Sequence, residues 1–183
     1  MRTRIIILIV GFVVILAAGG AGCQSLPPAG NENTNVVTVT NFEECVAAGN
    51  PVMESYPRQC RAGDKNFIEY IGNELEKINL IKIDSPRPNA IVTSPLEITG
   101  EARGTWYFEA SFPVKLFDGN GEQLAIIPAQ AEGDWMTEEF VPFKAILEFA
   151  APTTATGTLV LEKDNPSSLP ENADSLIVPV RFK

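Results

Sequence analysis

From Ile81 to Phe182 the apolar residues come in short runs that tend to alternate, and this spacing constrains the fold more than any other feature of the chain. Ile81-Lys82-Ile83, Leu96-Glu97-Ile98-Thr99 and Val114-Lys115-Leu116 put every second side chain on one face, the period of a half-buried strand. In Leu176 to Phe182, Val178, Val180 and Phe182 share a face in the same way. Pro86, Pro88, Pro95, Gly100, Gly104, Asp118-Gly119-Asn120-Gly121, Gly133, Pro152 and Pro166 punctuate these runs, and no stretch of useful length has helical spacing. About seven to nine short strands in roughly 105 residues, with turns between them, predict an all-β domain, a β-sandwich, over residues 79–183.

Within it, residues 114–127 read as a hairpin around Asp118-Gly119-Asn120-Gly121, because Gly and Asn tolerate the positive φ of tight turns. Asp118, Asn120 and Glu122 also offer oxygens at alternating positions. The calcium-loop pattern fails there, since loop position six would be Gln123 rather than glycine. Gly100 and Ala102 are expected on the inward face of a strand, where small side chains allow close approach. Phe143, Ala145, Leu147 and Phe149 are expected to form one apolar face, and Trp135 to serve as a core or sheet-capping residue. Trp106, Tyr107 and Phe108 are three consecutive aromatics, which in one strand cannot all face one core. They are therefore the candidate binding surface, as Tyr107 or as Trp106 with Phe108.

Residues 83–102, IDSPRPNAIVTSPLEITGEA, resemble the start of the immunoglobulin-like domain of bacterial spore germination. The similarity continues through Phe117 to Gly121, Asp134-Trp135, Phe140, Gly157 to Lys163 and Ile177 to Val180, and spans about residues 80–183. It implies an extracytoplasmic immunoglobulin-like β-sandwich and carries over no catalytic residues. A germination role is not among the expectations, because the module also occurs in bacteria that do not sporulate.

The N-terminus reads as an address. Arg2 and Arg4 precede an uncharged run from Ile5 to Ala18, and Gly19-Gly20-Ala21-Gly22 follows, the layout of a secretory signal over residues 1–22. Gly20-Ala21-Gly22-Cys23 resembles the lipobox of bacterial lipoproteins, with Gly20 where a leucine is usual. The resemblance implies acylation of Cys23, membrane lipid as a partner, and anchoring at the extracytoplasmic face of a bacterial membrane. An uncleaved membrane helix and free secretion are the alternatives. Residues 23–40, poor in apolar periodicity and rich in Pro, Gly, Asn and Ser, read as a flexible linker.

Residues 41–72 form a small two-cysteine module. In an exported chain, Cys45 and Cys60 are expected to form a disulfide, because so short a segment needs a staple in place of a large core. Phe42, Val46, Met53, Tyr56, Phe67 and Tyr70 are its candidate miniature core. A metal or redox role is the weaker reading, since the chain has no histidine and the two cysteines are not in a C-x-x-C setting. A protease-inhibitor-like loop at Tyr56-Pro57-Arg58 is the functional alternative.

Without histidine, Ser-His-Asp and Cys-His catalysis and the usual zinc hydrolase sites are excluded. No S-x-x-K and no glycine-rich phosphate loop occurs, so no catalytic residue, cofactor or metal is expected. The formal net charge is -9, and Lys and Arg number only 14, which argues against nucleic acid as a partner. The expectation is a non-catalytic, lipid-anchored binding or interaction protein of the cell envelope, its partner an envelope protein or a cell-wall glycan. A structural or inhibitory protein acting through 41–72 is the alternative.

Overall fold

The computed structural model describes residues 38–183. Expectations that fall on residues 1–37, including the signal segment, acylation of Cys23 and most of the linker, lie outside the described residues. Residues 37–183 group as one compact unit.

The cysteine module begins with helix α1 (Phe42–Ala47). Asn41 caps it: its Oδ1 accepts from the Glu44 N–H at 2.8 Å, and Glu44 Oε2 accepts from the Thr40 N–H at 2.8 Å. This reciprocal pair satisfies donors that a helix start leaves open. Strands β1 (Val52–Met53), β2 (Gln59–Ala62) and β3 (Lys65–Ile68) follow as an antiparallel sheet in chain order. Cys45 on α1 is bonded to Cys60 on β2, with the Cα atoms 6.0 Å apart. Of the expected miniature core, Phe42 is buried and Phe67 packs against it, whereas Val46, Met53, Tyr56 and Tyr70 are exposed. The disulfide itself fills the centre, so there is no interior left for the other four.

Helix α2 (Glu74–Lys77) leads into β4 (Ile81–Ser85), β5 (Ile91–Val92), β6 (Leu96–Arg103), β7 (Ser111–Asp118), β8 (Gln123–Ala131), β9 (Phe140–Leu147), β10 (Thr156–Glu162) and β11 (Ser175–Phe182). Their ladder runs β4-β6-β9-β8-β7-β10-β11-β5, eight strands in all, antiparallel except where β5 joins β11. β8 meets β9 only through Gln130 opposite Lys144 and Ala131 opposite Phe143. The ladder therefore parts there into two faces, β4-β6-β9 and β8-β7-β10-β11-β5, which close on one shared core as an immunoglobulin-like β-sandwich. The alternation read from the sequence is realised residue by residue. Ile81 and Ile83, Leu96 and Ile98, and Val178 and Val180 are all buried. Gly100 also faces inward: a Cβ there would lie 2.7 Å from the Phe143 ring, so its missing side chain makes room for that ring. Phe149 lies beyond the end of β9 and is half-buried against Phe182, 5.8 Å between ring centroids.

Polar side chains join the two parts. Asn73 behaves like an extra strand residue on β11, its Nδ2 donating to Ser175 O at 2.9 Å and its Oδ1 accepting from Ile177 N at 2.7 Å. Buried Glu69 takes two hydrogen bonds from the Arg58 guanidinium, at 2.6 and 2.8 Å, and a third from Asn89 Nδ2 at 3.1 Å. Buried Glu74 accepts from the Tyr56 hydroxyl and pairs with Arg87 at 2.7 Å. Burial and this carboxylate push the Tyr56 hydroxyl up to about 12.

Candidate binding site

The aromatic triplet is not a strand. Gly104 to Trp106 form a short 3-10 turn, and the chain then reverses at Glu109 and Ala110, with φ of 49° and 62°. Phe108 and Ser111 pair on either side of that reversal, N–H to carbonyl in both directions, at 3.0 and 3.1 Å. Trp106 and Tyr107 consequently both enter the core, at 2% and 4% exposure, and only Phe108 is open to solvent. Tyr107 donates to Val141 O at 2.7 Å, and burial raises its hydroxyl above the ordinary tyrosine range. Its ring meets Phe112 edge-on, 5.2 Å between centroids. The candidate surface is thus corrected: Trp106 and Tyr107 are packing residues, because a turn without glycine or asparagine redirects the chain after them.

The solvent-facing feature at this end of the sandwich is the next loop over. Residues 132–139, EGDWMTEE, connect β8 to β9, lie against the 3-10 turn and border a shallow, wide-open concavity of about 550 Å³. Trp135 supplies its aromatic surface over the buried edge of Tyr107, Met136 stands 77% exposed beside it, and Thr105, Thr137 and Glu138 give the polar lining. Trp135 is half-buried and packs on the main core, the placement expected of it, and lines the concavity as well.

Short hydrogen bonds hold the loop. Asp134 Oδ1 accepts from Met136 N at 3.0 Å, Trp135 O from Thr137 N at 2.8 Å, and Thr137 Oγ1 from Glu139 N at 3.2 Å. Arg103 donates to Glu138 O at 3.0 Å, and its guanidinium lies over the Phe140 ring at 4.2 Å. Gly104 N donates to Glu139 O at 3.2 Å. A loop fixed in this way presents its side chains without first paying to order them. Sequence reading passed over Met136 because, beside Trp135 and among four carboxylates, it looks like ordinary loop surface.

Two other candidates resolve into structure. The Asp118 carboxylate is buried and accepts from Asn120 N at 2.8 Å and Glu122 N at 2.9 Å, so it closes the hairpin turn. Those backbone donors, Glu122 first, hold it below the usual carboxylate range. Among the described residues no group of three or more acidic or cysteine side chains is placed to hold a metal ion. The Tyr56-Pro57-Arg58 segment is tied down at both ends, Arg58 to Glu69 and Tyr56 to Glu74 and Arg87.

The fold defines an immunoglobulin-like β-sandwich module. Residues 80–168 match the family model described as the immunoglobulin-like domain of bacterial spore germination, and the C-terminal half of the chain carries that domain. No curated protein and no solved structure matches the chain.

Proposed function

We propose that the chain is a non-catalytic binding protein of the bacterial cell envelope, held at the extracytoplasmic face of the membrane by lipid on Cys23. The observation that carries the binding role is the hydrogen-bonded loop that presents Trp135 and Met136 beside an open depression on the immunoglobulin-like module. An aromatic surface with a few hydroxyl and carboxylate groups beside it is the usual make-up of a small recognition site. The sequence Gly20-Ala21-Gly22-Cys23 supports the tether, and more than one acyl chain makes such anchoring durable. No helix among the described residues is long and apolar enough to cross a membrane.

The ligand is an envelope glycan or an envelope protein, and co-sedimentation of residues 37–183 separates the two. Retention on purified cell-wall glycan assigns a glycan; retention only on protein-bearing envelopes assigns a protein. Failure to sediment with either overturns the binding role. Labelling of the full chain with radioactive palmitate, lost in Cys23→Ser, tests the tether, and an unlabelled wild-type chain overturns it.

A further inference from the structure

β10 ends at Glu162 and β11 starts at Ser175, and beside α2 the surface there opens into a cleft of about 600 Å³. Most polar groups in its wall are already satisfied by the fold. Asn73 is bonded to β11 through both amide atoms, and Lys77 Nζ pairs with Asp174 Oδ1 at 2.6 Å. Both oxygens of Glu162 are held by Lys115 at 2.7 Å. Asn165 donates to Leu169 O at 2.8 Å and accepts from Ser167 Oγ at 2.5 Å.

Lys163 and Asp164 differ. Both are half-buried and line the cleft, and their backbone N–H groups are fixed by Asp174 O at 2.9 Å and Trp106 O at 3.0 Å. Among the described residues, neither the ammonium nor the carboxylate has an ion pair or a side-chain hydrogen bond. Burial, with the charge of Glu109, pushes the Asp164 carboxyl up. A half-buried charge without a partner costs stability until something completes it. At Pro113 and Asp164 the cleft meets a second depression of about 240 Å³, lined also by Ile126, Ile127 and Pro128. One donor and one acceptor therefore stand open beside an apolar surface.

This composition selects the ligand. An anion meets Asp164 and a chain of net charge -9, and a cation meets Lys163. A neutral ligand whose hydroxyls both donate and accept completes both groups. We propose that the cleft and the depression together bind an N-acetylated amino sugar of a neutral glycan, its hydroxyls on Lys163 and Asp164 and its acetamido methyl against Ile127 and Pro128. The site shares no lining residue with the Trp135 loop, so it stands or falls independently of the binding role assigned there.

Two anchoring groups and one small apolar contact give weak binding, with a Kd on the order of 1 mM. Amide NMR shifts of residues 37–183, the compact unit that contains both cores, read it during titration with an N-acetylglucosamine tetramer to about 20 mM. Saturable shifts are expected at Lys163, Asp164 and Ile127. The Kd is expected to rise at least about fivefold in Lys163→Ala and in Asp164→Ala. Glu148→Ala, which removes an exposed carboxylate just after β9, is expected to bind as the wild type does. The absence of saturable shifts at these amides overturns the proposal, and so does binding that Lys163→Ala and Asp164→Ala leave intact. Equal shifts with a β-linked glucose tetramer, which lacks the acetamido group, also overturn it.

Discussion

Gly104 lies directly beneath Thr137: a Cβ on Gly104 would come within 1.9 Å of the Thr137 carbonyl oxygen and 2.3 Å of that of Trp135. The loop that forms the concavity can rest on the 3-10 turn only because that side chain is missing. Gly104→Ala is therefore expected to destabilise the unit by about 1–3 kcal/mol, as overpacking does, and to displace the loop. Urea denaturation of the two proteins checks the first effect, and the fluorescence of Trp135 the second.

Immediately before β7, Ala110 sits at φ 62°, a conformation that costs a side chain roughly 1–2 kcal/mol. Glycine occupies it without that strain but gives up chain entropy on folding. Ala110→Gly is expected to raise the unfolding midpoint, a gain of up to about 1 kcal/mol. A lowered midpoint would show that the reversal after Phe108 is not built as described.

That reversal marks the limit of what the sequence discloses. The alternation of Ile81 with Ile83 and of Leu96 with Ile98 announces strands because burial on one face imposes period two. Asp118-Gly119-Asn120-Gly121 announces its hairpin through residues that accept positive φ, and Gly121 adopts it at 82°. Glu109-Ala110 turns the chain with no such residue, so Trp106 to Phe108 read as one strand and two packing residues looked like a surface. α1 went unread, because so short a helix leaves little apolar periodicity, although Asn41 caps it and Glu44 reaches back to Thr40. Met136 and the parting of β8 from β9 depend on which strands become neighbours, and spacing along one chain does not encode that.

The cysteine module depends on its staple. Closing the 15-residue separation between Cys45 and Cys60 is worth about 3 kcal/mol in the chain-entropy description, and the buried cluster around it consists of little more than Phe42 and the two cysteines. Replacing both cysteines with serine is expected to lower stability by about that amount and to expose Phe42 and Phe67. Far-UV circular dichroism should keep its strand signal, because the sandwich has its own core.

Acid should loosen the join between the two parts. Hydrogen bonds from the Arg58 guanidinium hold the Glu69 carboxyl below its ordinary range despite burial. The folded protein takes up this proton less readily than the unfolded chain, whose glutamates titrate at about pH 4.3. The stabilisation is thus present above about pH 4.3 and is lost as pH falls through the lowered folded-state value. Urea midpoints near pH 7 and near pH 3 are expected to differ less in Glu69→Gln than in the wild type. An equal difference in both would show that the Arg58–Glu69 pair does not link folding to pH.

The binding role rests on the concavity beside Met136, and Met136→Asp tests it with little risk to the fold, since that side chain is 77% exposed. Retention of residues 37–183 on purified envelopes is the measurement, with Phe108→Ala as the comparison. The account predicts that Met136→Asp weakens retention by at least about tenfold while Phe108→Ala binds as the wild type does. Wild-type retention of Met136→Asp, or its loss only in Phe108→Ala, would contradict the assignment of this concavity as the binding site.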